Sequence, residues 1–339
     1  MPQSLVLNLV IQSAIPQQYL QGQALQALFF SLVDTVDPSL GNVLRVDEHN
    51  YSYSLSALQI EDASKQRSLR AAEPADERDL NLPAQPAVRS NIRLLASKQK
   101  PAKTLIGGAD LTHRLALAQG LQLQHNPMQA AEANLRCWWR ISFLDDDLFD
   151  HLAILWGQLV GEPFPLGSGS VAISSIAADI PGSVWASSCS YRDIYAQASM
   201  SDRDIHLQFI TPTVFANPGY FSPLPTAGAV FHALRKRWNH YSGLAFAPSL
   251  VNDIVPTHFN IKTEAIERLS SETSQLVAGC TGQISFRIAG DGDPLIIRRI
   301  NILADFARYC GVGYHTQLGW GVVRRISSPT ALTCQIRRR

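Results

Sequence analysis

Hydrophobic and polar positions along this chain follow two periods, and the places where one gives way to the other mark its elements. Ser4-Leu5-Val6-Leu7-Asn8-Leu9-Val10-Ile11 is apolar and β-rich, which predicts a strand. After Pro16 the spacing becomes helical. Leu25, Leu28, Phe29, Leu32 and Val33 share one face, and Pro38 with Gly41 is expected to end that helix. Tyr51 to Leu58 alternates as a second strand, and Cys137 to Leu144 forms a third. Asp145 is placed to cap a helix carrying Leu148, Leu152, Leu155 and Leu159. Gly161 to Gly169 reads as a turn, followed by a fourth strand over Val171 to Ile176. The order β-α-β-β-α-β is that of a ferredoxin-like unit.

The second half repeats that order. Ile205 to Ile210 is a strand and Val230 to Trp238 lies on a helix. Phe259 to Ile261 and Leu276 to Ile288 supply strands, with a tight turn at Gly290 to Asp293. Pro294 to Cys310 is helical with Ile300, Leu303, Phe306 and Ala307 inward, and Leu318 to Ile326 is the last strand. The linker between the halves is expected near Ala177 to Tyr191. Residues 61 to 135 break the pattern. Glu61 to Arg78 is rich in charge and alanine, prolines at 83 and 86 interrupt any helix, and Lys98, Lys100 and Lys103 follow. This stretch reads as an insertion between the second and third strands.

Composition narrows the class without naming a task. The chain has 339 residues, 46% of them hydrophobic and 17% charged, as expected of a folded two-domain protein rather than a disordered one. The net charge of +1 gives no general attraction to nucleic acid, so basic contacts must be local. Arg235-Lys236-Arg237, Arg298-Arg299, Arg324-Arg325 and Arg337-Arg338-Arg339 are such clusters. The five cysteines have no metal-ligand spacing and read as free thiols of a reducing cytoplasm. No signal pattern opens the chain, and no apolar run approaches the ~20 residues that span a bilayer.

The segment with most chemical content is Gly311-Val312-Gly313-Tyr314-His315-Thr316-Gln317-Leu318-Gly319-Trp320-Gly321, between a helix and a strand. Four glycines in one loop cost conformational entropy, which suits a backbone that something must approach closely. Exposed amides beside a helix end, with Arg324-Arg325 following, suit a phosphate-bearing ligand. A P-loop would need Lys-Ser or Lys-Thr after its last glycine, and a dinucleotide fingerprint would run from strand into helix. Neither fits.

This loop resembles the glycine-rich loop of the RAMP superfamily, and within it the chain is similar to the CRISPR repeat-processing endoribonucleases. Tyr53-Ser54-Leu55-Ser56-Ala57-Leu58 resembles that family's aromatic-x-x-Ser-x-Leu strand, and Trp138 to Leu144 its third strand. Leu207 to Phe215 matches its F-x-T-P-T-x-F segment, and Val230-Phe231 with Arg237-Trp238-Asn239 its V-F-x-x-L-x-x-R-W-N helix. Gly279-Cys280-Thr281-Gly282 precedes the last helix, as in the family. The resemblance covers most of the chain outside residues 61 to 135.

It implies an α+β fold of tandem ferredoxin-like (RRM-like) βαββαβ domains, over residues 1–182 and 183–339, with the glycine-rich loop at 311–321. It also implies an endoribonuclease that cuts CRISPR precursor RNA within its repeats, often stem-loops. Such an enzyme can keep the mature guide RNA within a larger effector complex, and it needs neither metal nor cofactor. RNA carries its own nucleophile: a 2′-hydroxyl attacks the adjacent phosphodiester and leaves 2′,3′-cyclic phosphate and 5′-hydroxyl ends. The protein must move two protons, stabilise the phosphorane and hold attack in line.

The family commonly places a histidine just ahead of its second strand, as a Leu-His pair. Here that pair falls on Leu44-Arg45, and the nearest histidine is His49. Either His49 acts as base with Arg45 on the phosphorane, or Arg45 acts electrostatically and His49 is a bystander. Arginine is a poor base because it stays protonated. Tyr51 on the adjoining strand is a candidate phosphate donor. The expected RNA-binding set is Gly311, Gly313, His315, Thr316, Gln317, Gly319 and Gly321 with Arg235, Lys236 and Arg237. The acidic run Asp145-Asp146-Asp147 with Asp150 and His151 is explained as well by a helix start as by a metal. A non-catalytic RNA-binding subunit of the same kind of complex is the alternative reading.

Overall fold

The computed structural model describes residues 1–46, 51–60, 130–131, 134–178, 185–269, 274–290 and 293–326. In chain order the main elements are β1 (Gln3–Ile11), α1 (Gln23–Val36), α2 (Pro38–Val46), β2 (Tyr53–Leu55), β3 (Arg136–Phe143), α3 (Asp146–Trp156), β4 (Pro163–Leu166) and β5 (Gly169–Ala178). They continue with α4 (Tyr191–Gln197), β6 (Asp204–Thr213), α5 (Ala227–Tyr241), β7 (Ile254–Leu269), β8 (Ser274–Ile288), α6 (Pro294–Cys310) and β9 (Val323–Ile326).

Two antiparallel sheets result. The first runs β2-β3-β1-β5-β4, with short additions at Gln59–Ile60 and Ser187–Ser188; the second runs β7-β8-β6-β9. With β4 set aside as an added edge strand, β1 lies between β3 and β5 as β6 lies between β8 and β9, which is the ferredoxin-like order, so the fold is a tandem of that α+β unit. Leu5, Leu7 and Leu9 of β1 pair with Ile141, Trp139 and Cys137 of β3, and together these residues present one buried face. The face of α1 foreseen from periodicity, Leu25, Leu28, Phe29, Leu32 and Val33, packs on it. A second core gathers around Trp238, which meets Tyr191 and Phe306 edge-on and stacks on Phe246 with centroids 5.6 Å apart.

Several sequence expectations are corrected. α1 ends at Val36, ahead of Pro38 as expected, but Gly41 ends nothing: Pro38 opens a second helix, α2, from the first-turn position, where its missing N–H costs nothing, and Gly41 lies inside it. The Asp37 carboxylate accepts from the Ser39 and Leu40 amides at 3.1 Å each, and these bonds with the Ser39 hydroxyl hold its pKa down at about 2. Tyr51 to Leu58 is not a half-exposed alternating strand. Tyr53, Ser54, Leu55 and Ser56 are all buried, because the second half covers the other face: Ser54 Oγ donates to the Tyr309 carbonyl at 2.7 Å. The Gly161 to Gly169 turn contains β4, and the last strand begins at Val323 rather than Leu318. The hairpin of β7 and β8 is far longer than Phe259 to Ile261 suggested.

The insertion expected over 61–135 lies outside the described residues except for its end, where Ala130–Ala131 pairs with Ile15–Pro16. In the expected linker, 179–184 lie outside the described residues, and Ser187–Ser188 joins β1. Among the described residues no helix is long and apolar enough to cross a membrane. Cys137, Cys280 and Cys310 are buried and Cys189 is half-buried, and none of the four forms a disulfide among the described residues.

Candidate functional site

The helical period that buries one face of α1 turns Gln23, Gln26, Phe30 and Asp34 outward, along an open groove of about 690 Å³ that Arg45 of α2 also lines. The Arg45 guanidinium lies 4.3 Å above the Phe30 ring and is paired with Asp34, Nη1 to Oδ1 at 3.0 Å and Nη2 to Oδ2. That carboxylate raises the arginine pKa above its ordinary value. Phe30 meets Tyr53 edge-on at 6.2 Å, and Tyr53 meets Tyr51 at 5.9 Å. One run of ring contacts, through Phe30 and Tyr53, thus links Arg45 to Tyr51, which is not among the residues lining the groove. Tyr53 itself is fully buried, stacked on Phe29, and its hydroxyl accepts from Gln26 Nε2 at 3.1 Å. Burial pushes its pKa up, so it stays a neutral donor. His49 lies outside the described residues.

The glycine loop is built differently from the expectation of exposed amides, which it corrects. Several of its amides are used within the protein. Val312 N–H donates to the Gly321 carbonyl at 2.8 Å, Tyr314 N–H to Val214 at 2.7 Å, and Gly321 N–H to Pro212 at 3.1 Å. The Thr-Pro-Thr segment explains the fit. Pro212 has no N–H, the β6–β8 ladder shifts register there, and the released Pro212 carbonyl and Thr211 hydroxyl accept from Gly321 and Val322. The glycines allow backbone to meet backbone. A side chain at Gly313 would lie 2.5 Å from the Val214 carbonyl, and one at Gly321 would overlap the Val312 carbonyl.

Gly311, Thr316, Gln317, Gly319 and Gly321 are buried, while Gly313 and His315 are half-buried. His315 Nδ1 is 3.0 Å from Gln317 Nε2, and its ring touches Tyr314 and Trp320. Of the three basic residues on α5, Arg237 spends its fork on the Cys310 carbonyl and on Thr316 Oγ1 (2.7 Å), and Arg235 donates to the Phe246 carbonyl at 3.0 Å. Lys236 is exposed.

Loop and groove nevertheless meet. The Gly22 amide, at the start of α1, donates to the Leu318 carbonyl at 3.1 Å, and Gly319 sits against the Ser56–Ala57 backbone. The loop thus fixes one end of the helix that carries the groove. A second tie escaped the sequence reading. Arg140, buried in β3, donates to the carbonyls of Trp185 (2.9 Å) and Arg308 (2.6 Å) and to Ser4 Oγ (2.7 Å), and burial lowers its pKa to about 9. The available signal was an arginine set in the middle of a mostly apolar strand, between Trp139 and Ile141. Asp145 caps α3 by accepting from the Asp147 amide at 3.1 Å, which accounts for an acidic residue there on helix grounds.

Family comparison matches residues 1–99 and 104–196 to the CRISPR Cas6 N-terminal domain and residues 207–323 to CRISPR-associated endoribonuclease Cas6. Among solved structures, two Cas6 product complexes are similar, with TM-scores of 0.65 and 0.61 at 18% identity; each covers 96% of this chain, and the matches span 100% and 99% of those chains. A Thermus thermophilus Cas6 has a TM-score of 0.59 at 17% identity, over 96% of this chain and 98% of its own. At such identities the likeness carries the fold alone. No curated protein sequence matches the chain.

Proposed function

Because this chain belongs to the CRISPR-associated Cas6 endoribonuclease family, we propose that it cuts CRISPR precursor RNA within the repeat by 2′-hydroxyl attack, without a metal. The scissile phosphate lies in the groove along α1. Arg45 stabilises charge as the phosphorane forms, Tyr51 donates to a phosphate oxygen, and His49 takes the 2′-hydroxyl proton. The observation that carries this reading is the placement of Arg45, an arginine presented over Phe30 in the lining of an open groove rather than enclosed in the core.

Lys236, exposed on α5, and the half-buried Gly313 and His315 take phosphates away from the cut. The buried part of the glycine loop acts indirectly, by holding α1. The chain divides near 182/183, a boundary supported by two separate apolar cores. The protein works in the cytoplasm and keeps its guide RNA for partner subunits of an effector complex.

The test is incubation with repeat RNA in EDTA. Products ending in 2′,3′-cyclic phosphate and 5′-hydroxyl are expected, with loss of cutting in His49→Ala. Cutting by His49→Ala at the wild-type rate removes that residue from the mechanism. The second reading, a repeat-RNA-binding subunit without catalysis, is favoured by one observation: among the described residues, those lining the groove include no histidine. Tight binding with no cleavage decides for it.

A further inference from the structure

We propose that Asp34 is the positioning residue that aims Arg45 at the scissile phosphate, and that Gly41 is the gap in α2 that lets it do so. The inference rests on the nuclease reading above. Asp34 and Phe30 stand one turn apart on α1 and address the same guanidinium, the carboxylate in its plane and the ring beneath it. The two carboxylate oxygens take one N–H each from Nη1 and Nη2, the fork geometry that fixes an arginine in direction as well as distance. A guanidinium has five N–H groups, so this pairing leaves the Nε edge for a second, anionic acceptor.

Gly41 supplies the room. It lies one turn before Arg45 on α2, and a methyl group there would overlap Asp34 Oδ1 and come within 3.0 Å of Arg45 Nη1. The carboxylate occupies the space that any other residue would fill. Glycine inside a helix is unfavourable relative to alanine, so the local cost accompanies a specific contact.

The pairing also has a chemical consequence. A carboxylate beside Arg45 reduces the net positive charge that an incoming phosphate meets, so it does not serve raw affinity. What it supplies is placement: an arginine already ordered before the RNA arrives, which lowers the ordering cost in the cleavage step. Asp34 therefore acts on the rate of cutting and not on the grip.

The experiment is single-turnover cleavage of repeat RNA, with RNA affinity and melting temperature measured alongside, for the wild type, Asp34→Asn, Gly41→Ala and Arg45→Ala, and for each of the first two combined with Arg45→Ala. Asp34→Asn and Gly41→Ala are expected to slow cleavage by about 10- to 100-fold with RNA affinity unchanged or tighter. Gly41→Ala keeps both charged groups and gains helix propensity, so its melting temperature should hold or rise. In the Arg45→Ala background neither change should slow cleavage further. If Asp34→Asn cuts at the wild-type rate, or slows cutting equally with and without Arg45, the positioning role is overturned and the nuclease reading stands. Wild-type protein that binds the repeat and never cuts it overturns both.

Discussion

The glycine loop and the α1 groove invite comparison, because the sequence pointed to the first as the ligand cradle, whereas the structure packs it against its own chain and leaves an open groove along α1. In the loop, backbone donors are matched to Val214, Pro212 and Gly321 carbonyls, and the arginine that should have met phosphate is held by Cys310 and Thr316. In the groove, Arg45, Gln23 and Asp34 line open space. The lesson is physical. Glycine permits close approach, but the approaching group here is another stretch of the same chain. Accessible chemistry resides instead on a helix whose outward face is only partly polar.

The comparison can be broken first at the loop. Gly321→Ala and Gly313→Ala place a side chain at φ +69° and +89°, against the Val312 and Val214 carbonyls. Backbone strain alone costs about 1–3 kcal/mol, and each backbone clash adds to it. Gly219→Ala and Gly243→Ala, at similar φ with nothing within 4 Å, should lose only the strain. Denaturant midpoints that rank all four alike would show that the loop is not a packed seam.

In the groove, Arg45→Ala should lower single-turnover cleavage on the order of 100-fold. The ion pair it removes is solvent-exposed, so unfolding free energy should move by less than ~1 kcal/mol. A large stability loss with little rate change would reverse the two regions' roles. Arg237→Lys falls between them. A lysine cannot hold Cys310 and Thr316 with one planar fork. A loss of about 1–2 kcal/mol is expected by chemical denaturation, and the rate should follow stability. The smallest effect is at the start of α2. Asp37 has its folded pKa depressed to about 2 from an ordinary 3.8, so its contribution is fully present above 3.8 and is lost as pH falls towards 2. Asp37→Asn should lower the melting temperature slightly at neutral pH, flatten the acid limb of the profile between those values, and converge with the wild type as the pH nears 2.

Most elements were legible because periodicity and capping are local. The buried face of α1, the Asp145 cap and the whole of α6 were read from spacing. What failed depended on the other half of the chain. Tyr53 to Ser56 reads as alternating, yet every residue is buried because Tyr309 and the glycine loop lie across it. Pro38 reads as a stop, and α1 does end before it, but the local start signal beside it, Asp37 ahead of a first-turn proline, was passed over. In the site, Arg45 stood out against a motif, whereas Asp34 had no sequence signal. Its partner is 11 positions away, on a different helix.

Arg140 carries one more implication, for attempts to take the molecule apart. Its guanidinium bonds to a hydroxyl on β1, to a carbonyl just before Ser187 and to a carbonyl near the end of α6. Severing the polypeptide between the two sheets would keep the guanidinium on one piece and put the Arg308 carbonyl it holds on the other. Co-expressed pieces would have every reason to find each other again, and a split reporter built at that junction would report on reassembly rather than on separate survival.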